Sequence, residues 1–182
     1  NGNIPVHAFN LISPTFFANS STGNKYSLWV NVYGVSERYL NVYGEKDLRA
    51  QMNQFFHRTY THPVDGTTLD MKMLCNWYWY DETAILETGK GTKDWNFYRY
   101  AETLLSAAEA IAQSSGVNAE AAGYLAQVKA RANMEGKDVS TIASELQRLG
   151  KQAFIEECWK ERLREFPLEM KIWDDCVRTG KF

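Results

Sequence analysis

The sequence predicts a mostly α-helical protein with antiparallel helix pairs and an irregular, partly β first half. Between Asp94 and Asn133, apolar residues recur at steps of three and four, which is the spacing of one helix face. Gly116 and Asn118 divide this stretch into two helices, and so short a turn predicts an antiparallel pair. Residues 1–93 lack this period and contain Pro, Gly and Ser turns and dense aromatic residues.

Composition narrows the function classes. The 182 residues are 45% hydrophobic and 23% charged, with a net charge of -2, which fits a soluble chain with one real core. A general nucleic-acid binder needs a basic surface, so we predict no nucleic-acid partner. The three cysteines have no C-x-x-C spacing, which predicts neither a disulfide framework nor a zinc site. We predict no cofactor.

The first 93 residues are predicted to form an irregular ligand-binding region. Residues 26–35 alternate in polarity and read as a short strand. Residues 44–56 carry apolar side chains at helical spacing, and Asp65-Gly66 marks a turn. Residues 94–182 form the helical part, and we expect the two parts to make one structural unit.

Each predicted helix has start and stop signals. Asp94 precedes the first helix as an N-cap, and Ser140 or Thr141 caps the third. Gly150 interrupts the third helix at a cost of about 1 kcal/mol relative to Ala. A last short helix is expected to bury Met170 or Trp173 together with Val177, and to stop at Gly180. The predicted helices span residues 95–115, 119–133, 141–166 and 168–178.

Four consecutive aromatic residues form the candidate ligand site. In an extended chain Trp77 and Trp79 share one face, and Tyr78 and Tyr80 share the other. Sugar rings present apolar C–H faces that stack on flat aromatic side chains, while polar neighbours bond the hydroxyl groups. The alternative is a buried strand, which must hold for at least one face. The flanking polar candidates are Asn76 and Asp81, and a second aromatic group contains Trp29 and Tyr33.

Other candidate sites are weaker. Trp95, Trp159 and Trp173 lie in helical patterns, which predicts core positions. His57, His62 and Asp65 have the chemistry of zinc ligands but no established spacing, so no metal is predicted. The arginines and glutamates of the helices are interpreted as partly buried structural pairs rather than catalytic groups. We expect Glu102 or Glu169 to pair with Arg162.

Two stretches resemble the SusD/RagB family. Residues 99–105 (RYAETLL), followed by Ala108-Glu109-Ala110 and residues 128–132 (VKARA), resemble its arginine-aromatic-alanine-glutamate helix and the next helix. Residues 161–166 (ERLREF), with Glu169, Trp173, Asp174 and Arg178-Thr179-Gly180, resemble its C-terminal signature. The motif residues are Arg99, Glu102, Glu109, Arg131, Glu161, Arg162, Arg164, Glu165, Glu169, Trp173, Asp174, Arg178 and Gly180.

The resemblance implies a fold and a function. Family members are surface lipoproteins of the outer membrane of Bacteroidetes that bind glycans or other nutrients. They pass these ligands to a SusC-like TonB-dependent transporter, and tetratricopeptide-like helix pairs (an αα-superhelix) support an irregular binding region. Members are usually much longer, so the resemblance makes this chain the C-terminal portion of a longer polypeptide that carries the lipid anchor elsewhere. The remainder of that polypeptide is then a further partner.

We therefore predict non-enzymatic capture of a glycan or other nutrient at the outer-membrane surface. One alternative is a structural helical-repeat module that binds a protein. Another is a glycoside hydrolase, which needs two carboxylates about 5–10 Å apart across a cleft. Asp81, Glu82, Asp174 and Asp175 are available for that role, but nothing in the sequence pairs them.

Overall fold

Five helices follow a two-stranded sheet and short helical turns. The computed structural model describes residues 35–61, 63, 66–78, 80–82, 94, 96–167 and 169–181, so residues 26–34 of the strand predicted at 26–35 lie outside the described residues. The mostly helical fold class with packed helix pairs is confirmed. The elements are α1 (Glu37–Leu40), a 3-10 turn (Leu48–Ala50), β1 (Phe56–Thr61), β2 (Thr68–Asn76), α2 (Tyr100–Ser115), α3 (Ala119–Ala132), α4 (Val139–Leu146), α5 (Lys151–Glu165) and α6 (Ile172–Thr179).

The chain divides into two compact units, which we call the sheet unit and the helical unit. The sheet unit is Asn1–Asn41 with Ala50–Trp95, and the helical unit is Val42–Arg49 with Asn96–Phe182. The segment 42–49 joins the helices through a bridge between Asp47 and Asn133 and a bond from the Met134 amide to the Lys46 carbonyl. The predicted boundary at residue 93 takes no account of this segment.

The sheet is antiparallel and its register shifts in the middle. Phe56 pairs with Asn76 and His57 with Cys75, whereas Thr59 already pairs with Asp70. Between the His57–Cys75 and Thr59–Asp70 pairs, β2 contains four residues (71–74), whereas β1 contains only Arg58. A bulge of this kind bends the strand and redirects its side chains.

Small residues let α2 and α3 approach closely. Ala108 and Ala112 of α2 and Ala121 and Ala122 of α3 are fully buried, and the core continues to α4 and α5 through Ile142, Leu146, Phe154 and Cys158. Burying each Leu or Ile side chain contributes about 1.5–3 kcal/mol. The period in the sequence thus found the packed face of this pair.

Three predicted end signals are confirmed. The Asn118 side chain accepts a hydrogen bond from the Ala121 amide at 2.9 Å, so it caps α3. Gly116 follows α2 with φ 82° and Gly180 follows α6 with φ 66°. These conformations suit glycine because it lacks a Cβ atom.

The predicted start of the first helix is wrong. The helix α2 begins at Tyr100 rather than near residue 95, and Arg99 rather than Asp94 occupies the cap position. Arg99 makes no side-chain cap bond, because a guanidinium has only donors and cannot accept from a helix N–H. It binds Glu165 and Glu169 of the C-terminal segment. Phe97 and Tyr100 continue the apolar period of the sequence, which predicts that they lie on the buried face, but both are largely exposed.

The predicted helix 141–166 is two helices. Residue Gly150 is extended, with φ -64° and ψ 155°, and forms the N-cap of α5. The cap of α4 is Asp138, whose carboxylate accepts from the Thr141 amide at 2.8 Å, and not Ser140 or Thr141. Asp138 supplies a cap acceptor before Ser140, so α4 starts earlier than predicted. Gly150 breaks the predicted helix into α4 and α5.

The last helix is also shorter than predicted and does not bury its apolar residues. It starts at Ile172 rather than 168, and Met170, Trp173 and Val177 are 68%, 71% and 54% exposed. The buried residue of α6 is Asp175, which binds Arg162. Charge, rather than apolar contact, therefore docks α6.

Candidate functional site: an aromatic stack and a charged scaffold

The aromatic cluster forms where β1 faces the end of β2. His57 and Tyr60 belong to β1, while Trp77 and Tyr80 follow β2. The Trp77 amide donates to the Phe55 carbonyl at 2.8 Å and so extends the strand pairing by one residue. The Tyr80 amide then donates to the Trp77 carbonyl at 3.1 Å, which closes a turn.

That turn contradicts the predicted extended geometry. In an extended chain Trp77 and Tyr80 would point to opposite faces, but here their rings stack at 4.9 Å with 13° between planes. The chain turns after Asn76, so the period of two stops applying there. Tyr78 is half-buried, and Asp81 is buried.

Trp77 is the middle ring of a stack of three. His57 lies 4.1 Å from it with an interplanar angle of 9°, and Tyr80 is the second parallel neighbour. Trp77 is therefore the shared partner of two stacked pairs. Offset stacking of this kind contributes about 0.5–1.5 kcal/mol per pair beyond buried area.

Tyr60 and Glu82 fix the outer ring. The buried Tyr60 ring packs obliquely against Trp77 at 5.9 Å and Tyr80 at 6.2 Å. The Tyr80 hydroxyl donates to the Glu82 carboxylate at 3.1 Å. Burial, with Tyr60 and the Glu82 charge nearby, raises the pKa of Tyr80 well above its ordinary value. Burial also lowers the pKa of His57, so its imidazole is neutral at pH 7.

The structure does not describe three of the predicted site residues. Trp79, Trp29 and Tyr33 lie outside the described residues. Asn76 is the last residue of β2 and pairs with Phe56 through its backbone. Sequence reasoning did not join His57 and Tyr60 to the aromatic site, because the ring contacts that bring Trp77 against β1 leave no local signal.

The helical unit is organised around one buried carboxylate, that of Glu165. Its oxygens accept from Arg49 at 3.0 Å, Arg99 at 3.0 Å and Arg131 at 2.6 Å. Arg99 also binds Glu169 through two nitrogens, at 2.7 and 2.8 Å. Four separate segments of the chain therefore meet at the end of α5.

A second group of charges docks α6. Arg162 binds the Asp175 carboxylate through Nε at 2.8 and 2.9 Å, and it lies 3.5 Å from Glu102. Of the two predicted partners of Arg162, Glu102 is therefore the one that lies near it. Arg178 binds both oxygens of Glu109, at 2.7 and 3.0 Å.

Glu109 has further partners on other helices. Trp159 donates to it at 2.8 Å, and Gln113 donates at 3.0 Å. Burial opposes its ionisation, but Arg178, Trp159 and Gln113 together hold the pKa of Glu109 below its ordinary value. Trp159 packs against the core as predicted, whereas the core position predicted for Trp173 is wrong.

The helical unit also contains a polar cavity of about 450 Å³. Its lining includes the buried Glu161, which binds Arg49 at 2.8 Å and Arg164 at 3.1 Å. Lys129, which pairs with Glu157, also lines the cavity. Positively charged lysine and arginine side chains and negatively charged carboxylates both line the cavity. The positive and negative charges largely neutralise one another.

The described residues contain neither a cluster of metal ligands nor a membrane-spanning helix. No group of three or more His, Cys, Asp or Glu side chains there is arranged to hold a metal ion. Among the described helices, none combines the length and the apolar character that crossing a bilayer requires.

The fold is that of a mostly helical protein. Its stacked helix pairs are tied by buried ion pairs, and the same chain carries a small aromatic-rich sheet unit. The sequence model of the SusD family (SusD_RagB) matches residues 18–182. The chain therefore belongs to the SusD family.

The fold agrees with a solved structure of this class. The 1.95 Å crystal structure of a SusD superfamily protein from Parabacteroides distasonis ATCC 8503 aligns with a TM-score of 0.72 at 24% identity. The alignment covers 93% of this chain and 35% of that one, so this chain spans about a third of its length. No curated protein matches the sequence.

Proposed function

We propose that this chain is part of a surface lipoprotein of the outer membrane that binds glycans or other nutrients and passes them to a TonB-dependent transporter. Its membership of the SusD family over residues 18–182 carries this proposal. The aromatic stack supports it, because clustered rings suit the apolar faces of sugars.

The ligand contacts are proposed at residues 76–81, with Trp29 and Tyr33 as further candidates. Trp77 is already stacked on two rings of the protein, those of His57 and Tyr80. Trp77 therefore acts as the supporting ring, and the sugar stacks on an outer ring of the cluster. Each stacked ring supplies about 1 kcal/mol, so the affinity of this site is modest.

The proposed mechanism is capture without bond cleavage. Glycoside hydrolysis needs a raised pKa on one carboxyl group and a second carboxylate across a cleft. The buried acids Glu109, Glu161 and Glu165 are instead bound by arginines. A carboxylate held in this way is a poor proton donor, which supports a binding role.

Affinity electrophoresis in gels with soluble polysaccharide tests the proposal. We expect a polysaccharide to retard the protein without release of reducing sugar. Tyr80→Ala abolishes the retardation, whereas Tyr80→Phe keeps the ring and largely retains it. Tyr98→Ala is the matched control, because Tyr98 is an exposed tyrosine of the helical unit. Release of reducing sugar, or unchanged retardation of Tyr80→Ala, contradicts the proposal.

A further inference from the structure

An exposed carboxylate, that of Glu82, follows the aromatic stack. Its neighbour Asp81 is buried, so Glu82 is the exposed one of these two consecutive acids. The Tyr80 hydroxyl donates to the Glu82 carboxylate at 3.1 Å, and the Tyr80 ring stacks on Trp77 at 4.9 Å. Glu82 therefore lies beside an outer ring of the stack, where a sugar is proposed to bind.

The Glu82 carboxylate keeps most of its capacity to accept hydrogen bonds. An ionised carboxylate offers about four acceptor positions on its two oxygens. The Tyr80 hydroxyl is the one donor that the described residues supply to it. Because burial, Tyr60 and Glu82 raise the pKa of Tyr80, that hydroxyl stays protonated at neutral pH and goes on donating. The remaining positions can accept from two adjacent hydroxyl groups of a sugar.

The charge of Glu82 is not neutralised within the part of the chain that the structure describes. No described lysine or arginine side chain forms an ion pair with it, whereas the buried Glu109, Glu161 and Glu165 are each bound by arginine. Burial lowers the pKa of His57, so the imidazole in the stack is neutral at pH 7 and adds no positive charge. A ligand on Tyr80 therefore meets a negative charge.

We propose that Glu82 makes the aromatic stack selective for neutral sugars, an inference that rests on the proposed capture of glycans there. The carboxylate accepts hydrogen bonds from adjacent hydroxyl groups of a sugar stacked on Tyr80. It also repels a sugar that carries a carboxylate or sulfate group. Two like unit charges about 6 Å apart in water weaken binding about threefold, and the effect grows where water is excluded. The ligand class is therefore an uncharged glycan with adjacent free hydroxyl groups.

Matched neutral and acidic polymers test the inference. Glycogen, mixed-linkage β-glucan and galactomannan are each compared with a form whose primary hydroxyl groups have been oxidised to carboxylates, which keeps the backbone of the polymer. Binding to the immobilised 182-residue chain is followed by biolayer interferometry. For each polymer that binds, we expect the oxidised form to bind about tenfold more weakly at low salt. The difference should shrink at about 0.5 M salt, because salt screens exposed charges.

Glu82→Gln removes the charge and keeps the shape, so the oxidised polymer should bind within about threefold of the neutral one. Glu120→Gln is the matched control, because Glu120 accepts from the Tyr124 hydroxyl at 2.9 Å on the exposed surface of α3, outside the aromatic stack. It should leave the preference unchanged.

Two results overturn the selectivity but leave glycan capture in place. One is equal binding of neutral and oxidised polymer by the unsubstituted chain. The other is a preference that Glu82→Gln retains, since the lost primary hydroxyl and not the charge would then explain it. Absence of binding to all three polymers, in both forms, contradicts glycan capture and the selectivity together.

Discussion

The two units of this chain are stabilised by different means. The helical unit combines an alanine-rich core with buried ion pairs, and Glu165 alone accepts bonds from three arginines. The described part of the sheet unit has two strands and a stack of three rings. An isolated two-stranded sheet is marginal in water, and the stacked rings add to the stability of the described strands.

The difference separates contacts that cannot be rearranged from contacts that stay partly exposed. A buried carboxylate with three arginine partners cannot be rearranged without leaving charges unpaired, so it suits a permanent scaffold. The stacked rings of His57, Trp77 and Tyr80 are half-buried, so part of their surface stays in contact with solvent. We expect the helical unit to be the more rigid of the two, and four changes test how each unit is stabilised.

The largest expected effect is that of Glu165→Gln. The amide keeps the shape of the side chain but leaves the Arg49, Arg99 and Arg131 guanidiniums without their common counter-charge. We expect the free energy of unfolding to fall by about 3–5 kcal/mol, measured by urea titration followed by far-ultraviolet circular dichroism.

The control is Asp70→Asn in the sheet unit. Asp70 lies 3.1 Å from Arg58, and both side chains are exposed. Exposed pairs contribute little, so the loss should stay within about 0.5 kcal/mol. Similar losses of unfolding free energy for Glu165→Gln and Asp70→Asn would show that burial does not determine how much the Glu165 contacts stabilise the protein.

Trp77→Ala is expected to have the next largest effect, confined to the sheet unit. It removes two stacked pairs of about 0.5–1.5 kcal/mol each, so the sheet unit should lose about 1–3 kcal/mol. Hydrogen exchange followed by mass spectrometry should speed up in β1 and β2. Residues 104–112 of α2 should keep their protection, and loss there would contradict separate stabilisation of the units.

Acid should weaken the docking of α6 through Glu109. Its pKa in the folded chain lies below the ordinary value of 4.5, so the unfolded chain binds the proton more readily. The stabilisation is complete above pH 4.5 and is lost as the pH falls through the folded pKa. Glu109→Gln should therefore lower the unfolding midpoint at pH 7 but much less at pH 3. An equal reduction at both pH values contradicts this linkage.

Sequence reasoning succeeded where partners are close along the chain. The alanine and leucine spacing located α2 and α3 because a helix face is set by residues three and four apart. It did not predict that Glu169 binds Arg99, which lies 70 residues away. Side-chain chemistry alone allows Glu169 to pair with either Arg99 or Arg162. It also placed Trp173 in the core, because periodicity shows that a face is apolar but not that this chain covers it.

The aromatic site shows the same limit. Composition alone drew attention to Trp77 and Tyr80, and their residue types suit a sugar ring. The stack depends on the turn after Asn76 and on the shifted register that brings His57 opposite Cys75. Both features arise from tertiary pairing, so a pattern of period two predicted the wrong ring neighbours.

The smallest expected effect is that of Asn118→Ala, which tests whether local signals count in the scaffold. The Asn118 side chain accepts from the Ala121 amide at 2.9 Å and so satisfies one of the unpaired first-turn donors of α3. Its loss should cost about 1 kcal/mol in urea unfolding, with faster exchange at the Ala121 amide. Asn118→Asp supplies an equivalent acceptor with a charge that favours a helix N-terminus, so it should retain the stability. Equal losses for the two variants would mean that packing against α2 holds this helix end without its cap.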